Sequence, residues 1–365
     1  MLLGIGLWAC QQENNHLLIG AKIYEYQGSF EELFTQWEEL GFNTAFCSQD
    51  LLSSPEFRIN AAKHGVATFL IFPVFFNPDT LAVSPELAAI DQYGHQAAEE
   101  WVEFVCPSDS AYRMEVTAKA RKVVRRYQPA GISMDFIRHF VYWEKVYPDR
   151  DPATLPITCF CPSCLRSFQE KTGIRIPDSL DGTALQAQWL LQEQAEAWRS
   201  WRIELINEMV EAVASAVREE KEDILVNVHL VPWMQADFDG MATMVTGQDV
   251  RTLAKKADIL SPMCYAHMVR QEPPWIHQVT EDIHLHSGIP VLPSIQAEKA
   301  YLDVDLEPDE FKYSLQEALK EPSSGVIIWS WESLAGNPAK LEIVKDVLSR
   351  VPGSRQGPVT QVPGP

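Results

Sequence analysis

Eight short apolar runs, separated mostly by amphipathic stretches, constrain this chain more than any other feature. They lie at 17–23, 44–47, 67–72, 131–135, 224–229, 259–263, 290–295 and 325–329. Each is nearly unbroken in its hydrophobicity, as strands buried on both faces are. Between them, 30–40, 55–64, 111–127, 189–220, 250–256, 274–287 and 308–320 carry helical patterning, and 339–351 predicts a closing helix. Gly41 and Gly65 stand where the first two helices should stop. Parallel strands need crossovers of this kind. Eight repeats predict an α/β fold of the (β/α)8 TIM-barrel type over 16–351, rather than an open doubly wound sheet. No Gly-x-Gly-x-x-Gly follows a strand, so a dinucleotide-binding sheet has little support. The 365 residues are compatible with one such barrel, since the fold commonly exceeds ~250 residues.

In this fold a reactive group stands at the C-terminal end of a strand. Two strand-to-helix segments are long, 76–107 and 139–188, and both belong on that face. The strand ends carry Tyr24 and Glu25 (first), Asp135 and Arg138 (fourth), His229 and Trp233 (fifth), Tyr265 and His267 (sixth), Gln296 and Glu298 (seventh), and Trp329, Trp331 and Glu332 (eighth). Glycoside hydrolysis needs two carboxylates, one to protonate the leaving oxygen and one to attack the sugar or activate water. Asp135 is the first candidate, because the apolar strand before it predicts a buried site able to tune its pKa. Its bland alternative is a structural ion pair or helix cap. Glu332 and Glu298 are ranked together for the second role, with Glu25 and Glu144 behind them. Helix capping competes for Glu332, and a solvated loop charge for Glu298. Arg138, His229, Tyr265, His267 and Gln296 suit hydrogen bonds to hydroxyls. Trp143, Trp233, Trp329 and Trp331 suit stacking on sugar rings, although each is equally a core candidate.

The charge balance narrows the partner. There are 50 acidic against 30 basic residues, a formal charge of -20. Such a surface repels phosphate backbones, which argues against nucleic acid and leaves a neutral, hydroxyl-rich ligand acceptable.

Cys159, Cys161 and Cys164 form the densest cluster among seven cysteines. Three thiols this close predict a structural zinc, if a fourth ligand arrives, or a disulfide; unpaired thiols are the remaining reading. Apart from that zinc, no cofactor is expected. Residues 1–9 (MLLGIGLWA) followed by Cys10 look like a bacterial lipoprotein processing box, with a linker to residue 15. Trp8 is bulky for that pattern. This reading places a lipid anchor at Cys10 and the protein at the cell envelope; without it, the cytoplasm is expected. The Pro- and Gly-rich stretch 352–365 predicts a disordered tail.

The segments CPSDSAYR (106–113), GISMDFIR (131–138), CFCPSCLRSFQEKTGI (159–174), LSPMCY (260–265) and GVIIWSWESL (325–334) together resemble bacterial hypothetical glycoside-hydrolase-like barrels over most of 16–350. The resemblance implies a catalytic-face acid at Asp135 and a carbohydrate ligand. Strand four ends in Met-Asp, not the Asn-Glu of the large retaining-glycosidase clan, so that clan's acid and nucleophile are not carried over. Two other readings stay open. One is a non-catalytic carbohydrate-binding barrel. The other is a metal-dependent hydrolase using His229 and His267, although strand one lacks a His-x-His.

Overall fold

The computed structural model describes residues 17–351. The readings for the leader, Cys10 and the tail lie outside these residues. Eight parallel strands form the predicted barrel: β1 (Leu18–Ile23), β2 (Thr44–Cys47), β3 (Ala67–Pro73), β4 (Gly131–Asp135), β5 (Leu225–Leu230), β6 (Ile259–Pro262), β7 (Ser294–Gln296) and β8 (Gly325–Trp329). Their hydrogen-bonded order is β6-β5-β4-β3-β2-β1-β8-β7. The seam between β6 and β7 is closed by parallel bridges from Leu260 to Val291 and from Met263 to Ser294. Helices cover the outside. The run 189–220 divides into two helices, Thr183–Glu193 and Ala195–Arg218, which meet at Gln194. Among the described residues no helix is long and apolar enough to cross a membrane.

Strand alternation explains why chemistry collects at one end. Leu18, Phe46, Phe69, Ile71, Ile259, Leu292 and Ile327 form a separate apolar cluster that fills the barrel's lower interior. Gly131 makes room for it, because a Cβ there would meet the Phe69 ring at 2.3 Å. Two residues on along the same face the interior turns polar. Asn227 Nδ2 donates to Ser133 Oγ (2.8 Å), and Ser261 Oγ donates to Asn227 Oδ1 (2.8 Å). One step higher stand Lys22, Asp135 and His229. The same period-two rule thus builds a dry floor and a titratable mouth.

The two long loops also meet. Cys106 ends the segment after β3, and Cys159, Cys161 and Cys164 belong to the segment after β4. The Ala98–Glu99 and Val102–Glu103 hairpin sits in the first of these loops.

Candidate active site

Asp135 closes β4 and is buried. Its Oδ2 accepts from Lys22 Nζ at 3.2 Å, and its Oδ1 accepts from the Phe136 backbone N–H at 2.8 Å. Lys22 comes from β1, so this ion pair spans the barrel interior. Burial opposes the charge on Asp135, but Lys22 foremost, with Arg138 and the Phe136 amide contributing, outweighs it and holds the carboxyl well below its usual range. Lys22 is also buried; burial alone would lower its pKa, and Asp135 more than offsets this. His229 lies beside the pair, its Nε2 2.9 Å from Ser133 Oγ. Since Asn227 donates into that hydroxyl, the hydroxyl is free to give its own proton to Nε2. Burial, followed by the Lys22 charge, pushes His229 down to about 3, so it is a neutral ring at ordinary pH.

Glu144 is the carboxylate that behaves differently. It sits in a short 3-10 turn, Trp143–Lys145, beyond β4. The residue is 8% exposed, and Oε2 has no hydrogen-bond partner within the chain. Burial raises its pKa to about 7; Arg138 opposes the rise and Asp135 adds to it. Arg138 is itself buried, its guanidinium 5.1 Å from the Phe104 ring centroid and 5.3 Å from that of Phe136. Two buried carboxyls thus act on each other electrostatically while their environments push their pKa values apart. That is the arrangement acid–base pairs require.

Aromatic rings pack beside these carboxyls, Trp143 and Tyr265 in the core and Trp329 at a cavity. Tyr265 is stacked on Trp329, with centroids 4.6 Å apart and planes at 23°, and Trp143 lies 5.8 Å from Tyr265 on another side. Asp135 and Glu144 both act electrostatically on Tyr265. Trp329 also forms part of a cavity of about 430 Å³, with Tyr24, Glu25, Glu298, Lys299 and Glu332.

The structure sorts the other sequence candidates. Glu332 faces that cavity; its Oε1 accepts from the backbone N–H groups of Tyr24 (2.6 Å) and Glu25 (3.1 Å), which anchors the loop after β1, while its Oε2, like that of Glu144, has no partner within the chain. Glu298 is exposed at the rim. Gln296 spends both ends of its amide within the chain: Oε1 accepts from Met268 N (2.9 Å) and Nε2 donates to the Glu298 carbonyl (2.8 Å). Both ring nitrogens of His267 are likewise engaged, by Glu310 and the Val304 carbonyl at 2.9 Å each. His229 and His267 therefore hold separate partners instead of converging on one ion. Trp331, read as a sugar platform, is instead core: the first turn of its helix carries it inward, edge-on to Trp37 at 5.3 Å. Trp233 packs on Phe238 in a second cavity of about 510 Å³ that also includes Asp149, Asp237 and Trp275. Lys22 and Ser133 escaped the sequence reading. Both lie on inward-facing strand positions, and that alternation was the available signal.

The cysteine cluster gains its fourth member from the other long loop. The Sγ atoms of Cys106, Cys159, Cys161 and Cys164 all lie within 4.8 Å of one another. Cys106 Sγ is 3.3 Å from Cys161 Sγ and 3.4 Å from Cys164 Sγ. These are not disulfide distances, since an S–S bond is about 2.05 Å. A tetrahedron with zinc–sulfur bonds of about 2.3 Å has edges near 3.8 Å, so the donor set fits such an ion after a small adjustment. Backbone N–H groups already point at sulfur: Ile90 N lies 3.2 Å and Cys161 N 3.4 Å from Cys159 Sγ.

No family model matches the sequence, and no curated protein matches it. Solved structures do match in fold. The PgaB (BpsB) glycoside hydrolase domain from Bordetella bronchiseptica superposes with a TM-score of 0.67 at 12% identity, over 90% of this chain and 98% of that one. The polyextremophilic β-galactosidase of the Antarctic haloarchaeon Halorubrum lacusprofundi gives 0.66 at 14% identity over 90% of this chain, which spans only 57% of that enzyme. The agarase AgWH50C gives 0.52 at 13%, over 89% of this chain and 49% of that one. These likenesses establish the barrel architecture.

Proposed function

We propose that this protein hydrolyses glycosidic bonds of an oligo- or polysaccharide at the C-terminal mouth of the barrel. The observation that carries this reading is the pair Asp135 and Glu144. One carboxyl is held ionised and the other is held protonated up to about pH 7, within one aromatic-lined mouth. Glu144, with its unpartnered oxygen, gives the proton to the departing glycosidic oxygen. Asp135 attacks the anomeric carbon or takes the proton of an attacking water. Lys22 keeps Asp135 ionised, and Arg138 orders the space between the two carboxyls. The stacked Tyr265 and Trp329 offer the sugar a flat apolar face. That the fold neighbours include a β-galactosidase, an agarase and a glycoside hydrolase domain supports the reaction class. The test is hydrolysis of a broad panel of aryl glycosides and polysaccharides by wild type and Asp135→Asn. A cleaved substrate should be lost at least ~100-fold in the variant, since a positioned acid or base typically contributes roughly 10²–10⁴-fold. Sugar binding without turnover, unchanged by Asp135→Asn, would instead favour a non-catalytic binding barrel.

We also propose that Cys106, Cys159, Cys161 and Cys164 hold one structural zinc. The ion would supply a crosslink between the two long loops and no step of the reaction.

A further inference from the structure

The loops after β3 and β7 start on opposite sides of the barrel, four strands apart in either direction, yet they touch. Trp101 is in the turn of the Ala98–Glu99 and Val102–Glu103 hairpin, and its Nε1 donates to the Tyr301 hydroxyl at 3.0 Å. Both rings stand edge-on to Tyr142, at 6.3 and 5.8 Å. Trp101 is also edge-on to Phe136, the neighbour of Asp135, at 6.3 Å. Glu100 accepts from the Tyr142 hydroxyl at 2.7 Å and pairs with Lys145. Tyr142 and Lys145 flank Trp143 and Glu144, so this strap passes over the mouth and is pinned beside the proposed acid. The groups assigned to the reaction are shut in beneath it. Asp135 is 6% exposed, and neither it nor Glu144 lines the cavity of about 430 Å³ or the one of about 510 Å³. A sugar bond cannot reach the two carboxyls until the strap moves.

The contacts that close the strap are weak ones. Trp101 and Tyr301 are 46% and 37% exposed, so water competes for their hydrogen bond. The Glu100–Lys145 pair lies at the surface, where such pairs contribute little. Glu100 and Tyr301 both hold a left-handed backbone, at φ 52° and 59°, a conformation that side chains disfavour. We propose that Trp101, Glu100 and Tyr301 form a gate: the strap swings off Tyr142 to admit a sugar chain and closes over it, excluding water from Asp135 and Glu144. The purpose of the gate rests on the hydrolytic reading above; its movement does not.

The experiment uses Ala98→Cys with Val304→Cys, exposed positions outside both the strap contacts and the proposed machinery, in a Cys10→Ser background; the six remaining cysteines are buried. Spin labels on this pair, read by pulsed electron paramagnetic resonance, measure the distance across the strap without any substrate. A short distance should dominate in the otherwise unchanged chain. Trp101→Ala, which removes the hydrogen bond and the ring contacts together, should make a longer distance the major one. A single short distance in both proteins would overturn the gate. A bis-maleimide matched to the short distance then locks the same pair. On a panel of aryl glycosides and polysaccharides, a lock that leaves ~1% of molecules able to open should cut turnover ~100-fold relative to the same protein capped with N-ethylmaleimide. Equal rates in the locked and capped proteins would also overturn the gate. If the unlocked enzyme cleaves nothing on the panel, the hydrolytic reading fails, and the distance measurement still decides whether the strap opens. Should Trp101→Ala fail to fold, Tyr301→Phe, which deletes only the hydroxyl, should raise the longer population roughly 2–10-fold, and no change there would count against the gate.

Discussion

The barrel mouth and the cysteine cluster both bury charge, but they leave it in different conditions. At the mouth, Lys22 and Asp135 compensate each other, Glu144 and Glu332 each keep an oxygen without a partner in the chain, and Glu332 lines a cavity of about 430 Å³ with Trp329. In the cluster, buried sulfurs face one another, the Ile90 amide and the Ser108 hydroxyl, and Phe160 between two of the cysteines stacks on Trp198. Buried hydrogen-bonding capacity beside open space can be given to a ligand. The same capacity sealed in the core serves to hold chain segments in place. Under the two proposals above, the first region serves turnover and the second serves architecture.

Its sharpest break would come from Glu144→Gln. Loss of the proton donor should lower kcat by roughly 10²–10³-fold on glycosides with poor leaving groups, and much less on activated aryl glycosides that need no protonation. In wild type, Glu144 must be protonated, so the rate should fall as pH rises through about 7, and that limb should vanish in the variant. The stability linkage has the same sign. A carboxyl whose folded pKa is raised contributes stability below its ordinary value, lost as pH climbs through about 7. Urea denaturation at pH 5 and pH 8 would read this, and a wild-type rate flat from pH 6 to 8 would rule Glu144 out as the acid.

On the architectural side, Cys164→Ser should cost roughly 3 kcal/mol of stability, the order expected when an ion present at about 100-fold its Kd is lost. It should leave kcat of the remaining folded enzyme close to wild type. A thermal melt and a rate taken well below the transition check both halves. A large fall in kcat with an unmoved melting temperature would erase the distinction between the two regions.

The smallest effect is expected at Glu332→Gln. The amide oxygen can still accept from the N–H groups of Tyr24 and Glu25, so kcat should drop less than ~10-fold. A loss as large as that of Asp135→Asn would return Glu332 to the role of second carboxylate.

The outcomes at particular residues show how far the sequence could be read. All eight strands lie where unbroken apolar runs place them, because burial on both faces leaves a signal local to each strand. Asp135 was legible for the same reason, as a charge ending such a run. The proposed second carboxylate, Glu144, stood there only behind Glu332 and Glu298. Glu332 and Glu298 stand nearer to strand ends than Glu144; Glu332 gives one oxygen to backbone amides and Glu298 faces solvent, while Glu144 is buried in an irregular loop beyond β4. Cys159, Cys161 and Cys164 announced themselves by proximity in the chain. Cys106, 55 residues before Cys161, completes the set only in space.

The sequence by itself determined the barrel, its order of strands and helices, and the end at which chemistry collects. Those follow from hydrophobic period and strand alternation, which are properties of neighbouring residues. Only the tertiary structure decided which carboxyls are desolvated, which charges offset them, and which cysteines meet in the core. Those depend on distances between segments far apart in the chain and on how much water remains around them, which no local pattern encodes.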